Sequence, residues 1–430
     1  MGSEWIIGAC IGNPVYTMAA QAGLLSYPLE RYQLPTGHFF TSDGRPIGRS
    51  LVNKARNYYL TILSEAKKII GSGGETDKKC LAGYFYERAM KDVGAEPEIE
   101  RYDLVRLLFG MMNELRIKVG DDLAYVSCKS FGVQESLPGG NVRVEAGMDN
   151  LVTHLIRDLP QSALHCSKPV DCIRWGTAVD ANPRAVVRCQ DGIEFPADYV
   201  VVTVSLGVMK NMSEKLFCPS LPSIKMKSIR SLGFGQIGKV FAQYNTPFWM
   251  GSGGCIRFAW SIDELNKRNK WYKGVSSFQS VPGSAKVICA SVAGPEVKAM
   301  EQCLDVELAQ DVRDILRKFT GDGSLAPPNE ILRTEWSTDP YFFGGFSYMA
   351  VNSCVDDLCN VMKPLPDSCE DKPPILLFAG EHTDPTQYGT LQGARRSGIR
   401  EANRIASYTK KLCGPPNGQP ADVPSDQRPK

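Results

Sequence analysis

The sequence predicts an α/β fold, and three observations carry that prediction. An apolar run from Ile375 to Ala379 closes on Gly380, as a buried parallel-type strand does, and a helical pattern follows from about Thr390. Strand candidates at Val170 to Trp175, Arg184 to Cys189 and Tyr199 to Val204 are divided by the turn signals Gln190-Asp191-Gly192 and Ser205-Leu206-Gly207. Between Ser50 and Gly120 the pattern is mostly helical. Leu51, Ala55, Tyr58, Tyr59, Ile62 and Ala66 form one apolar stripe there, and Leu104, Leu107, Leu108, Met111, Met112 and Leu115 form another.

At 430 residues the chain is long enough for two or three domains. Its 43% hydrophobic and 22% charged content is that of a soluble globular protein. A net charge of +2 gives no reason to expect nucleic acid or an anionic membrane as partner. The 14 cysteines are scattered without a C-x-x-C pair, so a reduced intracellular chain is expected rather than a disulfide scaffold. His38, His154, His165 and His382 include no metal-binding pair on one helix, and no metal site is expected. The opening MGSEWIIGACIG lacks a basic start followed by a long apolar core, and no apolar run reaches the ~20 residues that span a bilayer. The chain does not end in a peroxisomal tripeptide, and the expected location is the cytoplasm.

Taken in order, Trp5 to Tyr16 is an apolar start broken by glycines and by Asn13-Pro14. Gly71-Ser72-Gly73-Gly74 reads as a loop rather than a phosphate cradle, because no strand leads into it. Val142 to Leu159 reads as a short strand, Gly147 and a helix. Gly233-Phe234-Gly235-Gln236-Ile237-Gly238 spells G-x-G-x-x-G, but Lys239 to Tyr244 then alternates like a strand. A dinucleotide fingerprint needs a strand before it and a helix after it, so this glycine run is not expected to hold phosphate. Val306 to Phe319 is amphipathic and stops at Thr320-Gly321-Asp322-Gly323. In the last unit Leu391, Ala394, Gly398, Ala402 and Ile405 make a face of mostly small residues, with Arg395, Arg396, Arg400 and Arg404 largely on the other side. A small face lets a helix lie close to a sheet or a ligand, and its unpaired first N–H groups suit a phosphate or polyol. The Pro-rich tail from Gly414 is expected to be disordered.

Gly380-Glu381-His382-Thr383, Tyr388-Gly389-Thr390-Leu391-Gln392-Gly393-Ala394, Ser397-Gly398 and Arg400-Glu401-Ala402 together resemble the C-terminal FAD-binding segment of the flavin-containing amine oxidase family. The likeness is to its polyamine oxidase and spermine oxidase branch. Pro169-Val170 leading to Ile173-Trp175, and Pro196-Ala197-Asp198-Tyr199 followed by Leu221-Pro222, also resemble that family. So do Lys239-Val240-Phe241 with Pro247-Phe248-Trp249, and the stretch from Ile331 through Trp336 to Tyr348.

The resemblance covers about residues 5 to 410. It implies a discontinuous Rossmann-like FAD-binding domain of residues 1–15, 139–208 and 347–412, interleaved with an α+β substrate domain of residues 16–138 and 209–346. It also implies roles. Lys239, the catalytic candidate, would hold a water against flavin N5. Val170, Trp336, Gly380, Glu381, Thr390 and Leu391 would contact FAD, while Phe346 and Thr390 would face the substrate. The implied reaction takes spermine, spermidine or an N-acetylated form to an aldehyde and an amine, with oxygen reduced to hydrogen peroxide. The expected partners are the small amine and oxygen, and the expected state is a monomer.

Two departures bear on this. Ile7 and Gln392 stand where the family usually has histidine. The family's opening strand, G-x-G-x-x-G turn and helix also have no counterpart, so the FAD-binding domain is expected to be N-terminally truncated, with apolar edges exposed and a weaker hold on the adenine end. Both departures favour a second reading, a non-catalytic oxidase-like binding protein. A third, a flavin oxidoreductase of the same fold with another substrate, stays open because fold does not fix substrate.

Overall fold

The computed structural model of the protein describes residues 2–3, 5–26, 29, 37–72, 78–145, 147–176, 183–267, 270–367 and 373–413. The chain opens with β1 (Trp5–Ile7), α1 (Pro14–Gln21) and β2 (His38–Thr41), then runs through helices α2 (Arg49–Lys68), α3 (Leu81–Gly94) and α4 (Glu98–Val119). β3 (Asn141–Arg143) and α5 (Asp149–Ile156) lead to β4 (Val170–Trp175), β5 (Ala185–Cys189), β6 (Glu194–Ala197) and β7 (Val200–Val202). Next come α6 (Leu206–Leu216), β8 (Phe217–Cys218), α7 (Ser223–Ser231), β9 (Gly233–Phe234) and β10 (Ile237–Gln243). β11 (Cys255–Ala259), α8 (Ile262–Asn266), β12 (Ser277–Ser280), β13 (Val287–Ala293), α9 (Glu296–Gln302) and α10 (Asp305–Thr320) follow. The last elements are β14 (Glu330–Arg333), β15 (Ser347–Tyr348), α11 (Val355–Met362), β16 (Leu376–Phe378) and α12 (Leu391–Cys413).

Six strands make one sheet in the order β14-β10-β13-β12-β11-β2. β10 alternates along its length, with Val240 and Ala242 buried and Lys239 and Phe241 only partly covered, so one face is core and the other is free to line a site. The core face belongs to α10, whose Leu308, Val312, Ile315, Leu316 and Phe319 recur at helical spacing and share an apolar cluster with Val240 and Ala242. Fully burying each such side chain is worth roughly 1.5–3 kcal/mol before chain entropy is subtracted. α10 ends where Gly321 takes φ 71°, a conformation that costs a glycine little. The two helical stripes read between Ser50 and Gly120 meet in a second cluster: Ala55, Tyr59, Ile62 and Ala66 pack with Leu104, Leu107, Leu108 and Met111.

A third cluster gathers the parallel pair β7–β16 and the four-stranded sheet β6-β5-β4-β8. Leu376, Leu377 and Phe378 are all buried and pair in parallel with Val200, Val201 and Val202, which is the strand type their unbroken apolar run predicts. Met209, Leu216, Ile229 and Leu232 pack with Ile173 and Phe378, so this core runs across the expected domain break at residue 208. Lys225 is buried beneath it. Its ammonium donates to the carbonyls of Asn360, Val361 and Lys363 at 2.7, 2.8 and 2.7 Å and lies 4.0 Å from the Phe378 ring centre. It thus closes the C-terminal end of α11.

Two local expectations are corrected. Ser205-Leu206-Gly207, read as a turn, is the start of α6, because the Ser205 hydroxyl accepts from Val208 N–H at 3.0 Å and caps the helix. The broken start around Asn13-Pro14 likewise begins α1. Asn13 is fully buried; its Oδ1 accepts from Val15 and Tyr16 N–H, and its Nδ2 donates to the Ile7 and Gly8 carbonyls at 2.8 and 2.9 Å. Gly233 to Gly238 falls in β9 and the start of β10, with no helix after it, as its strand pattern predicts. Gly73, Gly74 and the tail from Gly414 lie outside the described residues. Among the described residues no helix is long and apolar enough to cross a membrane, and no His, Cys, Asp and Glu cluster could hold a metal ion.

Asn13 links β1 and α1. Asn13→Ala removes the cap and orphans two carbonyls, and should cost about 1–3 kcal/mol; Asn13→Asp keeps the cap and should cost less. Urea unfolding midpoints of the two variants check this order.

Candidate active site

The organising element is the turn between β16 and α12. Gly380 takes φ 132°, and its N–H donates to the Ser397 hydroxyl of α12 at 2.8 Å. Arg400, one helical turn on, reaches back to the carbonyls of Phe378 and Thr383, both at 2.8 Å, and to the Thr383 hydroxyl at 3.1 Å. Its Nε also bonds the buried Glu401, which Arg404 approaches from the other side at 2.9 Å. The buried face of α12 is therefore Gly393, Ser397 and Glu401, while Gly398 and Ala402 of the expected small-residue face are exposed. The helix is rotated by about one position from that expectation, because these polar groups find partners on the turn and the small residues have none to seek.

Glu381 is the centre of the site. Its carboxylate accepts from Ser347 N–H at 3.1 Å, from the Ser347 hydroxyl at 2.5 Å and from Gly389 N–H at 2.5 Å. It retains an intermediate accessible surface although protein crowds round it on most sides. Desolvation raises its pKa, against the Ser347 and Gly389 hydrogen bonds that lower it. Beside it, Thr390 caps α12: its hydroxyl donates to the Gln387 carbonyl at 2.5 Å and accepts from Gly393 N–H at 3.1 Å. Thr390 therefore offers the site its backbone, and its hydroxyl is already engaged.

Phe346 closes this group. Its ring lies so near Gly120 and Gly389 that a Cβ on either would stand 2.9 or 3.3 Å from it, and both glycines hold positive φ, 88° and 70°. Gly235 N–H donates to the Phe346 carbonyl at 2.7 Å, and Gly345 N–H to the Gly235 carbonyl at 2.8 Å. This stretch thus lies along the start of β10, where a Cβ on Gly345 would meet Ile237 at 3.3 Å. Ile237 and Lys239 share that face by alternation. Lys239 is fixed through its backbone: its N–H donates to the Thr334 hydroxyl at 2.8 Å and its carbonyl accepts from Thr334 N–H at 3.0 Å. Its ammonium reaches the Gly2 carbonyl at 3.3 Å. Trp336, two residues beyond Thr334 and half-buried, accepts at its carbonyl from Gly344 N–H.

Gly380, Glu381, Thr390, Leu391 and Phe346 are thus brought together, while Lys239 lies farther along β10 and Trp336 on the chain that follows β14. Val170 stands apart at the start of β4, 40% exposed and paired with Cys189. Ile7 is exposed beside Asn13, and Gln392 is buried, donating to Gln387 Oε1 at 3.0 Å while its own Oε1 has no partner. Ser347 and Gln134 carry no signal in the sequence, and Arg400 enters there only within the Arg400-Glu401-Ala402 motif. Gln134 donates to the Tyr388 carbonyl at 2.6 Å from 254 residues away, and no local pattern marks such a contact.

The residues present fit the flavin end of FAD. They offer a partly accessible carboxylate, the N-terminal end of a long helix, the buried and unpartnered Gln392 Oε1 and an aromatic ring beside them. Among the described residues the G-x-G-x-x-G spelling lies in strands and makes no phosphate cradle.

Comparison with known proteins agrees. The family described as flavin containing amine oxidoreductase matches residues 1–406. The peroxisomal N(1)-acetyl-spermine/spermidine oxidase of Bos taurus is 31% identical over 434 residues, covering 94% of this chain and 84% of its own. The enzyme of the same name from Homo sapiens is 30% identical, covering 95% and 85%. A putrescine oxidase structure bound to putrescine superposes with a TM-score of 0.66 at 14% identity, covering 94% of this chain and 88% of that one, and shows the shared fold.

His382 gives the turn a pH signature. It is buried, and desolvation with the nearby charges of Arg400 and Lys225 pulls its pKa from 6.5 down to about 4. Below about pH 6.5 the unfolded chain takes the proton more readily than the folded one. This contribution is therefore complete above pH 6.5 and is lost as pH falls towards 4, a span worth roughly 3 kcal/mol. Unfolding midpoints followed from pH 7 to 4 should fall less steeply for His382→Gln than for the parent chain; equal slopes would exclude His382 as the cause.

Proposed function

The chain belongs to the flavin-containing amine oxidoreductase family, and from that premise we propose that it oxidises a polyamine to an aldehyde and an amine with release of hydrogen peroxide. The substrate class is spermine, spermidine or an N-acetylated form, in keeping with relatives named for those amines over nearly the whole chain. The observation that carries this is the junction of Glu381, Ser347, Phe346 and the Thr390-capped end of α12 beside the Lys239 face of β10.

FAD, when bound, supplies the two-electron acceptor that takes a hydride equivalent from the carbon beside the amine nitrogen and hands the electrons to oxygen. The residues of this chain bind, orient and exclude water. Glu381 would hold polyol hydroxyls with the acceptor capacity that Ser347 and Gly389 leave free, and the backbone at Thr390 and Leu391 would meet the ring end. Trp336 would pack near the ring, and Val170 would meet the adenine through its backbone. Phe346 would wall the approach, where an aromatic face attracts a protonated amine and lets a neutral one pass. Lys239 would hold one water at the reacting edge through its ammonium donors.

One observation favours the non-catalytic alternative: the Lys239 ammonium already rests on the Gly2 carbonyl. A spectrum decides. Purified protein given FAD should show the visible flavin band, and spermine, spermidine or their acetylated forms should bleach it without oxygen. A protein that stays colourless with added FAD would sink the catalytic reading for this chain. Lys239→Met should keep the bound flavin yet slow turnover by tenfold or more, about 1.4 kcal/mol in the barrier. Glu381→Gln should weaken FAD retention, read by equilibrium dialysis.

A further inference from the structure

β15 faces two ways. Ser347 turns to Glu381, while Tyr348 lines a separate groove of about 1450 Å³ between α6, α7, α9 and the loop around Phe343. None of the residues assigned to amine oxidation lines it. Its floor is apolar, built from Leu232, Phe234, Phe343 and Tyr348. Its rim is cationic. Lys210, Lys227, Arg230 and Lys298 face one carboxylate, Glu214, which pairs with Arg230 at 2.9 Å across side chains that are 76% and 65% exposed. An exposed pair of that kind holds little energy and exchanges readily. Among the described residues neither Lys227 nor Lys298 makes an ion pair, and both are exposed.

Two further observations single out this wall. Phe343, a bulky non-glycine residue, is held at φ 55°, where such side chains are strained. Gln236 Oε1 and Ser337 Oγ are buried in the wall without a protein partner, a deficit that backbone N–H groups of a bound segment would fill after a rotamer change. The volume exceeds the roughly 300–1,000 Å³ of small-molecule pockets, and the sign of the rim repels the polyamines proposed for the other site.

We propose that this groove docks an acidic peptide segment of a partner protein, with an aromatic or aliphatic side chain on the Phe234–Phe343 floor and carboxylates on Lys227, Arg230 and Lys298. Charge complementarity gives it selectivity and a salt-sensitive on-rate. Because Ser347 and Tyr348 are neighbours, an occupant of the groove presses on the strand that holds Glu381.

Fluorescence anisotropy of a fluorescein-labelled peptide, EEDFEED, with the full chain tests this. Saturable binding that weakens with salt is expected, with a loss of at least about tenfold in Lys227→Glu/Lys298→Glu. A remote reversal, Lys91→Glu on the exposed side of α3, should leave the affinity unchanged, and the EEDGEED peptide should bind more weakly. Circular dichroism melts of both charge variants should match the parent. No saturable binding at low salt, an equal loss in Lys91→Glu, or tighter binding of a short oligouridylate would each overturn the proposal. Flavin absorbance is read separately, so failure here leaves the oxidase assignment untouched.

Discussion

The carboxylate of Glu381 joins two parts of the chain that lie far apart in sequence. It takes donors from β15 on one side and from the residue before the α12 cap on the other. A carboxylate crowded by protein costs free energy unless it is hydrogen-bonded, and here backbone and hydroxyl donors supply three such bonds. Because β15 pairs with β9 and β9 runs into β10, this one group sets the distance between the helix end and the sheet that carries Lys239.

Close packing then leaves the aromatic wall little freedom. The Phe346 ring fits against two glycines whose positive φ values no other residue adopts at small cost, and Gly235 stands so close to Gly120 that a Cβ would lie 2.5 Å from its carbonyl oxygen. The ring is flanked by glycine backbone on both sides. Lys225 does comparable work in the third core, holding the last carbonyls of α11 beneath the Phe378 ring.

Much of this was legible in the residues. An unbroken apolar run marked β16, turn signals bounded β4 and β7, helical stripes marked α2, α4 and α10, and strand alternation after Gly238 ruled out a phosphate loop there. Family-like motifs then marked Gly380, Glu381, Thr390 and Lys239. Helix starts were less legible: Asn13-Pro14 and Ser205 carry capping chemistry that also spells a turn, and only the paired donors tell the two apart. Partners distant in sequence were not legible at all. Nothing near Ser347 announces Glu381, and nothing in the arginines of α12 says that Arg400 turns inward while its neighbours differ. Those choices follow from which carbonyls the turn leaves open, a property of the assembled fold.

The buried face of α12 has a mechanical consequence. Apolar faces slide, since one methyl replaces another at small cost, but Ser397, Arg400 and Glu401 match their partners in one position only. A shift of one residue along or around the helix axis would strand a guanidinium and a carboxylate in the interior. The helix is keyed, like a shaft with a slot, so its first turn keeps its heading while the surrounding chain breathes.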